Sequence, residues 1–435
     1  MSEDPTAKTG SAAEDEAVVE VTRLGAQGDG VAELAEGPVF VPMALPGERW
    51  AIAGAAARQI TSSPDRAAPP CGHFGTCGGC MAQHMSGATY AAWKEGVIAE
   101  AFRHRGLDAE IRPLVRVAPQ SRRRAVLGAA LKGGRVVLGF REEGEHRLVD
   151  LQDCVVLDPA IVAAFGPLRE IAGLLFAQAP GSGRSGRPPA RTRAKERNAR
   201  IVVTRLDAGL DVAVEAACGM LPAELAAALA AVAERARLVR LSVDGDAVAM
   251  RARPELTLGG VVTEPPPGVF LQAVPEAEQR LAALVLESVG KSKRVADLFA
   301  GLGTFTFPLA RKAEVTALDG DRRAITALQV AARRAQGLRR IDARVRDLHR
   351  EPLSRTELAG FDAVVLDPPR AGAAEQTEAI ARSNVPVVVA VSCNPATLAR
   401  DARTLVDAGY QLGAVTPVDQ FVWTPHIEVV AVLKR

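Results

Sequence analysis

The chain has 435 residues, 48% of them hydrophobic and 24% charged, with a formal net charge of +2. That length exceeds what one hydrophobic core usually organises, so a modular protein of about two to four domains is expected. No apolar run reaches the roughly 18 residues of a spanning helix, which argues against a membrane protein, and the near-neutral balance leaves any nucleic-acid contact to local arginine clusters.

Residues 1–16, rich in Ser, Ala, Asp and Glu, lack the basic start and apolar stretch of a signal peptide. They read as a disordered lead-in, and a cytoplasmic location is the expectation. Over 17–60, short alternating stretches such as Val19-Glu20-Val21 and Val39-Phe40-Val41 lie between Gly25, Gly28, Gly30 and Gly37, the texture of a small barrel. With Leu24-Gly25-Ala26-Gln27-Gly28-Asp29-Gly30 and Leu45-Pro46-Gly47-Glu48, this segment resembles a TRAM domain, an OB-like RNA-binding barrel.

Residues 61–262 form a β-rich central domain that opens on Cys71, Cys77 and Cys80, spaced C-x5-C-x2-C in a loop softened by glycines. Six cysteines are too few and too unevenly spaced for a disulfide framework, so metal binding or catalysis is the better reading. A helix is expected from about Tyr90 to Arg105. Cys218, without a partner in sequence, is expected to be a core residue. The insertion Gly181 to Arg200, rich in Gly, Pro and Arg, reads as a flexible loop, with phosphate contact as the alternative.

After Pro265-Pro266-Pro267, residues 263–435 alternate apolar β-branched runs with Ala-rich helical stretches. Runs at Val295 to Phe299, Val315 to Leu318, Ala363 to Leu366, Val387 to Val391 and Val429 to Leu433 interleave with helices over Pro275 to Val289, Arg322 to Gln336 and Pro395 to Ala408. The fold class is therefore α/β, with a C-terminal Rossmann-like, parallel, doubly wound sheet. Asp297-Leu298-Phe299-Ala300-Gly301-Leu302-Gly303-Thr304 sits where the first strand meets a helix, and glycines there let a cofactor approach the backbone. The second strand ends in Asp319, where a carboxylate can accept from both hydroxyls of a ribose. With no third spaced glycine, a nicotinamide enzyme is disfavoured. The arrangement resembles class I S-adenosylmethionine methyltransferases. That resemblance implies Phe299 and Thr304 on the methionine side, Gly301 at the loop, Asp319 on the ribose and Asp347 near the adenine.

Strand four ends in Asp367-Pro368-Pro369-Arg370-Ala371-Gly372 and strand five in Ser392-Cys393-Asn394-Pro395, at the same sheet edge. Carbon 5 of uracil is a poor nucleophile until a thiolate adds to carbon 6, and the carbon 5 proton must later be removed by a base. Cys393 supplies the thiol, and Glu428 in Phe421-Val422-Trp423-Thr424-Pro425-His426-Ile427-Glu428 is the candidate base, with His426 to position it or relay the proton. Together with Ser392-Cys393-Asn394-Pro395-Ala396-Thr397-Leu398-Ala399-Arg400-Asp401, these segments resemble the RNA uracil-5-methyltransferases of bacterial tRNA and 23S rRNA, over nearly the whole chain. The resemblance implies Cys393 as nucleophile, Glu428 as base, Asp367 between cofactor and uracil, and Gln272 of Phe270-Leu271-Gln272 touching cofactor or target base. It also implies that Cys154 joins Cys71, Cys77 and Cys80 around a 4Fe-4S cluster, although four thiolates suit zinc as well. Arg122-Arg123-Arg124 and Gly139-Phe140-Arg141 resemble RNA-facing segments of the family, with at least one arginine turned to structure.

Val422 and Trp423 depart from the family's usual proline and polar residue, and Asp319 stands for a usual glutamate. RNA cytosine-5 enzymes carry a second cysteine where this chain has only Asp367-Pro368-Pro369-Arg370. The expected cofactors are S-adenosyl-L-methionine and a 4Fe-4S cluster; the expected partner is RNA, with 23S rRNA ahead of tRNA. A monomer is expected. The alternatives are a tRNA-directed relative and a non-catalytic RNA-binding protein of the same fold.

Overall fold

The computed structural model describes residues 17–54, 56–177 and 198–435. The lead-in at 1–16 and most of the arginine-rich insertion lie outside the described residues; Arg200 lies inside them, in the strand Asn198–Leu206, paired with Glu215. The chain divides into two compact units, one within Met1–Pro69 and Met81–Trp93, the other Pro70–Cys80 with Lys94–Arg435. No helix among the described residues is long and apolar enough to cross a membrane.

The smaller unit contains two three-stranded antiparallel sheets. One is Ala17–Glu20, Arg49–Ala53 and Ala56–Gln59; the other is Arg23–Leu24, Gly30–Leu34 and Gly37–Val41. Their inward residues, Val19, Val21, Ala32, Val41 and Trp50, make a core too small to specify the unit alone. A buried carboxylate supplements it. Glu48 accepts from the backbone N–H of Leu45 (3.0 Å) and Ser63 (3.1 Å), from Trp50 Nε1 (3.0 Å), from Gln59 Nε2 (2.7 Å), and from both ends of the Arg66 guanidinium (2.7 Å). The unit reaches past residue 60 for this reason, and also because Trp93 Nε1 donates to Gly25 O at 2.8 Å.

In the larger unit, a six-stranded sheet runs Asp246–Met250, Arg240–Val243, Gly209–Glu215, Asn198–Leu206, Arg124–Lys132, Arg135–Gly139. The helices Phe165–Ala177 and Ala223–Arg235 cover it, with Leu168, Ile171, Leu229 and Val232 against Leu127, Ile201 and Val212.

The C-terminal sheet contains β1 (Arg294–Leu298), β2 (Glu314–Asp319), β3 (Ile341–Val345), β4 (Ala363–Leu366), β5 (Val387–Ser392), β6 (Thr416–Asp419) and β7 (Glu428–Lys434), in spatial order β3-β2-β1-β4-β5-β7-β6. Its strands are apolar on both faces because both faces are covered. Side chains alternate between two cores: Leu298, Val364, Leu366, Val388 and Val429 pack on one side, and Val295, Ala363, Val365, Val389 and Val430 on the other. The expected helices at Pro275–Val289 and, nearly to the residue, Arg322–Arg334 and Pro395–Asp407 are present. The sheet departs from the all-parallel expectation at its last strand: β7 runs antiparallel to β5 and β6. Residues 420–427 are too few for the crossover a parallel return needs.

Replacing Glu48 with Ala leaves the Arg66 guanidinium and three buried N–H donors without their acceptor, a loss of about 3–5 kcal/mol. Burial raises the Glu48 carboxyl, but the Arg66 hydrogen bonds and the donated N–H groups outweigh it and hold the group at about 2. Its contribution is therefore full above the ordinary value of 4.5 and lost as pH falls toward 2. Denaturant melts of wild type and Glu48→Ala should differ at pH 7 and converge as the pH approaches 2.

Candidate active site

β1, β2, β4 and β5 are parallel and end at one edge of the sheet, where ligands bind in such folds. A cleft of about 490 Å³ at that edge is lined by Gln272, Phe299, Gly301, Thr304, Asp319, Asp347, Asp367, Cys393 and Glu428, so every residue expected at the cofactor and catalytic site lies on one cavity.

On the β1–β2 side, the loop after β1 turns sharply, with φ of 64° at Phe299, an uncommon conformation for a bulky residue. The Phe299 ring rests 5.4 Å from that of His349. Gly301 N donates to Asp319 Oδ2 at 2.9 Å and Asp321 N to Oδ1 at 2.7 Å, so two backbone donors aim the carboxylate. The two glycines of the loop have different reasons to be glycine. A Cβ on Gly301, at φ +53°, would enter open space in the cleft; one on Gly303 would stand 2.8 Å from the Phe307 ring. Close approach to a ligand therefore applies to Gly301, and helix packing to Gly303. Asp347 Oδ1 accepts from His349 N and Arg350 N at 3.1 and 3.3 Å.

On the β4–β5–β7 side, sheet register does the positioning. β5 and β7 pair as far as Ser392 opposite Val429, so Cys393, just past β5, and Glu428, the first residue of β7, come together on the cleft. Asp367 follows β4, its N–H bonded to Leu298 O at 3.2 Å. Asn394 caps the helix Pro395–Asp407 by accepting from Ala396 N at 3.1 Å, and its amide donates to Arg370 O at 3.1 Å, tying the loops after β4 and β5 together.

A side-chain chain connects the carboxylates. Ala273 N donates to Gln420 Oε1 (2.8 Å); Gln420 Nε2 donates to Gln272 Oε1 (2.7 Å) and to Glu428 Oε1 (2.9 Å); Gln272 Nε2 donates to Asp367 Oδ2 (3.0 Å). A backbone N–H can only donate, so the oxygen of Gln420 must face Ala273, and every later amide orientation follows from that one. Glu428 Oε2 is buried without a hydrogen-bond partner. The loop carrying this network is held from Gly87–Arg103, where the buried Lys94 ammonium lies 3.1 Å from Asp419 Oδ1 and also donates to His426 O.

Burial raises Glu428 to about 7 against a lowering contribution from the Gln420 bond. Burial, then the neighbouring Glu428, raises Asp367 well above the carboxylate range. Cys393 is pushed up to about 11 by burial, then by Glu428 and Asp367, with Arg370 pulling the other way. His426 does not hydrogen-bond Glu428: its ring meets Phe421 edge-on at 6.0 Å, and burial together with Arg370, Lys94 and Arg122 lowers its pKa.

The arginine triplet serves structure more than was expected. Arg123 is buried, ion-paired with Glu278 and donating to Gln272 O at 3.0 Å; Arg124 donates to Val269 O and Gly268 O, both at 3.2 Å; Arg122 lies 5.6 Å over the Phe421 ring. Arg123 and Arg124 thus hold the segment that presents Gln272. Cys218 is exposed, not in the core: Asp244 accepts from the N–H groups of Ala216, Ala217 and Cys218 and keeps that turn at the surface. Gln420 and Lys94 were not anticipated. Each is a single polar residue with no spacing partner, and only Gln420's place eight residues before Glu428, just past the end of the neighbouring strand, could have drawn notice.

The four cysteines expected to bind metal are half-buried neighbours. Cys71 and Cys154 both act electrostatically on Cys77, and Cys80 and Cys154 on Arg122. Gly79 N donates to Cys77 Sγ at 3.4 Å, and the N–H groups of Val156 and Leu157 donate to Cys154. Among the described residues, no group of three or more His, Cys, Asp or Glu side chains is arranged to hold a single metal ion.

A sheet of order β3-β2-β1-β4-β5-β7-β6, with a glycine loop after β1 and an acidic residue closing β2, defines a class I S-adenosylmethionine methyltransferase domain. The solved structure of Pyrococcus abyssi tRNA (uracil-54, C5)-methyltransferase with S-adenosyl-L-homocysteine shares this fold, with a TM-score of 0.70 at 23% identity, covering 96% of this chain and 100% of that one. A family model described as tRNA (Uracil-5-)-methyltransferase matches residues 232–435. An RNA methyltransferase of Rhizobium meliloti is 43% identical over 428 residues, covering 96% of this chain and 99% of that protein. The 23S rRNA (uracil(1939)-C(5))-methyltransferase RlmD of Chromohalobacter salexigens is 36% identical over 438 residues, covering 95% and 88%. The chain belongs to the S-adenosylmethionine-dependent RNA uracil-5-methyltransferases.

Two carboxyls facing Cys393 should slow its reaction with iodoacetamide near neutral pH. Glu428→Gln removes the Glu428 charge, and peptide mass mapping should show Cys393 alkylated severalfold faster at pH 8, with the exposed Cys218 as internal reference.

Proposed function

We propose that this enzyme methylates carbon 5 of one uridine in 23S rRNA, with Cys393 as the nucleophile and Glu428 as the base. The observation that carries this reading is the proximity of Cys393, just past β5, and Glu428, at the start of β7, on the same cleft as Asp319 and Gly301. The rRNA assignment draws on the likeness to a 23S rRNA enzyme along most of both chains.

S-adenosylmethionine supplies an electrophilic methyl group. Asp319, fixed by Gly301 N and Asp321 N, takes the ribose hydroxyls, Asp347 stands toward the adenine, and Phe299 and Thr304 line the methionine side. The open space beside Gly301 and the aimed, half-filled Asp319 carboxylate suit that ligand. The target uridine must leave its RNA context to reach the cleft. The Cys393 thiol gives its proton to solvent as the sulfur adds to carbon 6, and the electron pair of the 5,6 double bond makes carbon 5 nucleophilic. Asp367, whose carboxyl burial raises, stands beside the ring with Gln272 bonded to its Oδ2. After methylation Glu428 takes the carbon 5 proton, the double bond re-forms, and the Cys393 thiolate leaves. A carboxylate near 7 is suited to accept a proton and return it to solvent at neutral pH.

The small β unit is read as a TRAM barrel that selects the RNA. Cys71, Cys77, Cys80 and Cys154 are read as the holders of a 4Fe-4S cluster, supported by their mutual proximity and by N–H···S bonds of the kind that tune such centres. The cluster would brace the loop; methyl transfer needs no electron.

Mass mapping of 5-methyluridine in rRNA and tRNA from a deletion strain should show one 23S position lost. Loss confined to tRNA would transfer the assignment, and no loss from either would end it. Cys393→Ala should bind S-adenosylhomocysteine normally and transfer no methyl group, whereas Glu428→Gln should accumulate a covalent protein–RNA adduct. Anaerobic purification should yield a brown, iron-containing protein; a colourless protein with stoichiometric zinc would refute the cluster.

A further inference from the structure

We infer that Gln420 is a positioning residue for proton removal: its carboxamide holds Glu428 by Oε1 and leaves Oε2 turned to the cleft as the atom that takes the carbon 5 proton. The inference rests on Glu428 being the base. Gln420 is almost fully buried, and its hydrogen-bonding capacity is matched to its partners. Its oxygen accepts from Ala273 N at 2.8 Å, and its two N–H groups go to Gln272 Oε1 at 2.7 Å and Glu428 Oε1 at 2.9 Å. Neither N–H is left over, so the amide cannot rotate or flip without losing bonds in a water-poor site. The carboxylate is therefore held at one oxygen only, and the other, buried and without a hydrogen-bond partner, belongs to the residue that lines the cleft beside Cys393.

The same contact acts on charge. A donor to Oε1 favours the ionised carboxylate, the form that can accept a proton. The other charged and titratable groups around Glu428 do not supply that stabilisation. Asp367, after β4, and Cys393, after β5, are acidic; Arg370 acts on Cys393 and His426; the Lys94 ammonium is bonded to Asp419 and His426 O. Gln420 is thus the neutral donor that opposes the effect of burial and favours the ionised base, while through Gln272 it also orients Asp367.

The step concerned is breakdown of the methylated adduct. Glu428 Oε2 accepts the carbon 5 proton, the C–H electrons form the 5,6 double bond, and the carbon 6–sulfur bond breaks to release thiolate. Cys393 is bonded to carbon in this species and does not titrate, so the pH dependence of adduct decay reports Glu428 without the thiol. The experiment is single-turnover decay of the adduct between full-length enzyme and labelled RNA, followed on denaturing gels from pH 5.5 to 9, for wild type, Gln420→Met and Gln420→Glu. Both variants remove the neutral donor; the second also sets an acid against Glu428. Decay at pH 7 should slow about tenfold or more, and its acid limb should move up by about one pH unit. Affinity for S-adenosylhomocysteine should stay within about twofold in whichever variant melts like wild type.

An acid limb that stays in place in the folded variant, with or without a uniform loss of rate, overturns the positioning role. Should Gln420→Met fail to fold, Gln420→Glu alone decides by the same criterion. Glu428→Gln separates the two claims. If it fails to trap adduct, the base assignment itself falls; if it traps adduct while the Gln420 limb is unmoved, this inference alone is lost.

Discussion

The pairing of β5 with β7 is the constraint on which the site depends. Ser392 opposite Val429 brings Cys393 and Glu428 to the same cleft, and a slip of one residue would turn the wrong faces of both strands into the cores and separate the two. The ladder resists such a slip because its residues alternate between two filled cores, Val388 and Val429 on one side and Val389 and Val430 on the other. Chemistry and packing are therefore enforced by the same register.

Buried ion pairs secure what the register leaves movable. Lys94 with Asp419 anchors the return from β6 to β7; Arg123 with Glu278 secures the helix Pro275–Val289 beside Gln272; Arg240, bonded to Asp211 at 2.7 and 2.8 Å, also donates to Pro265 O at 2.8 Å where the central sheet gives way to the catalytic domain. Such pairs add little net stability against an apolar alternative, but losing one partner strands a charge in a low-dielectric interior. Their common effect is to make displacement of the Gln272 and Glu428 segments costly.

The parts of this protein legible in sequence are those with a period or a spacing. β-branched runs between Ala-rich stretches mark the Rossmann-like sheet, and the segments around Gly301, Asp367, Cys393 and Glu428 fall at strand ends, where the fold gathers them. The antiparallel turn of β7 was hidden because strand direction is set by the length of the return, not by the strand's composition. Arg122-Arg123-Arg124 looked like an RNA contact because charge is visible in sequence and burial is not; Arg123 is inside, matched to Glu278. Gly303 looked like a ligand-approach glycine, yet the ring it avoids, Phe307, lies in the following helix. Gln420 and Lys94 depend on partners up to 332 residues distant, and no local pattern announces them.

The fixed polarity running from Ala273 N–H through Gln420 and Gln272 to Asp367 has a thermodynamic consequence for substrate capture. Long amide side chains each forfeit about 1.5–2 kcal/mol of rotamer freedom when they are immobilised. Here that ordering is complete before RNA arrives, because the bonds that impose it lie within the protein. The arriving uridine therefore meets side chains already frozen in place, and the binding free energy of the RNA remains available for extracting the base from its stack.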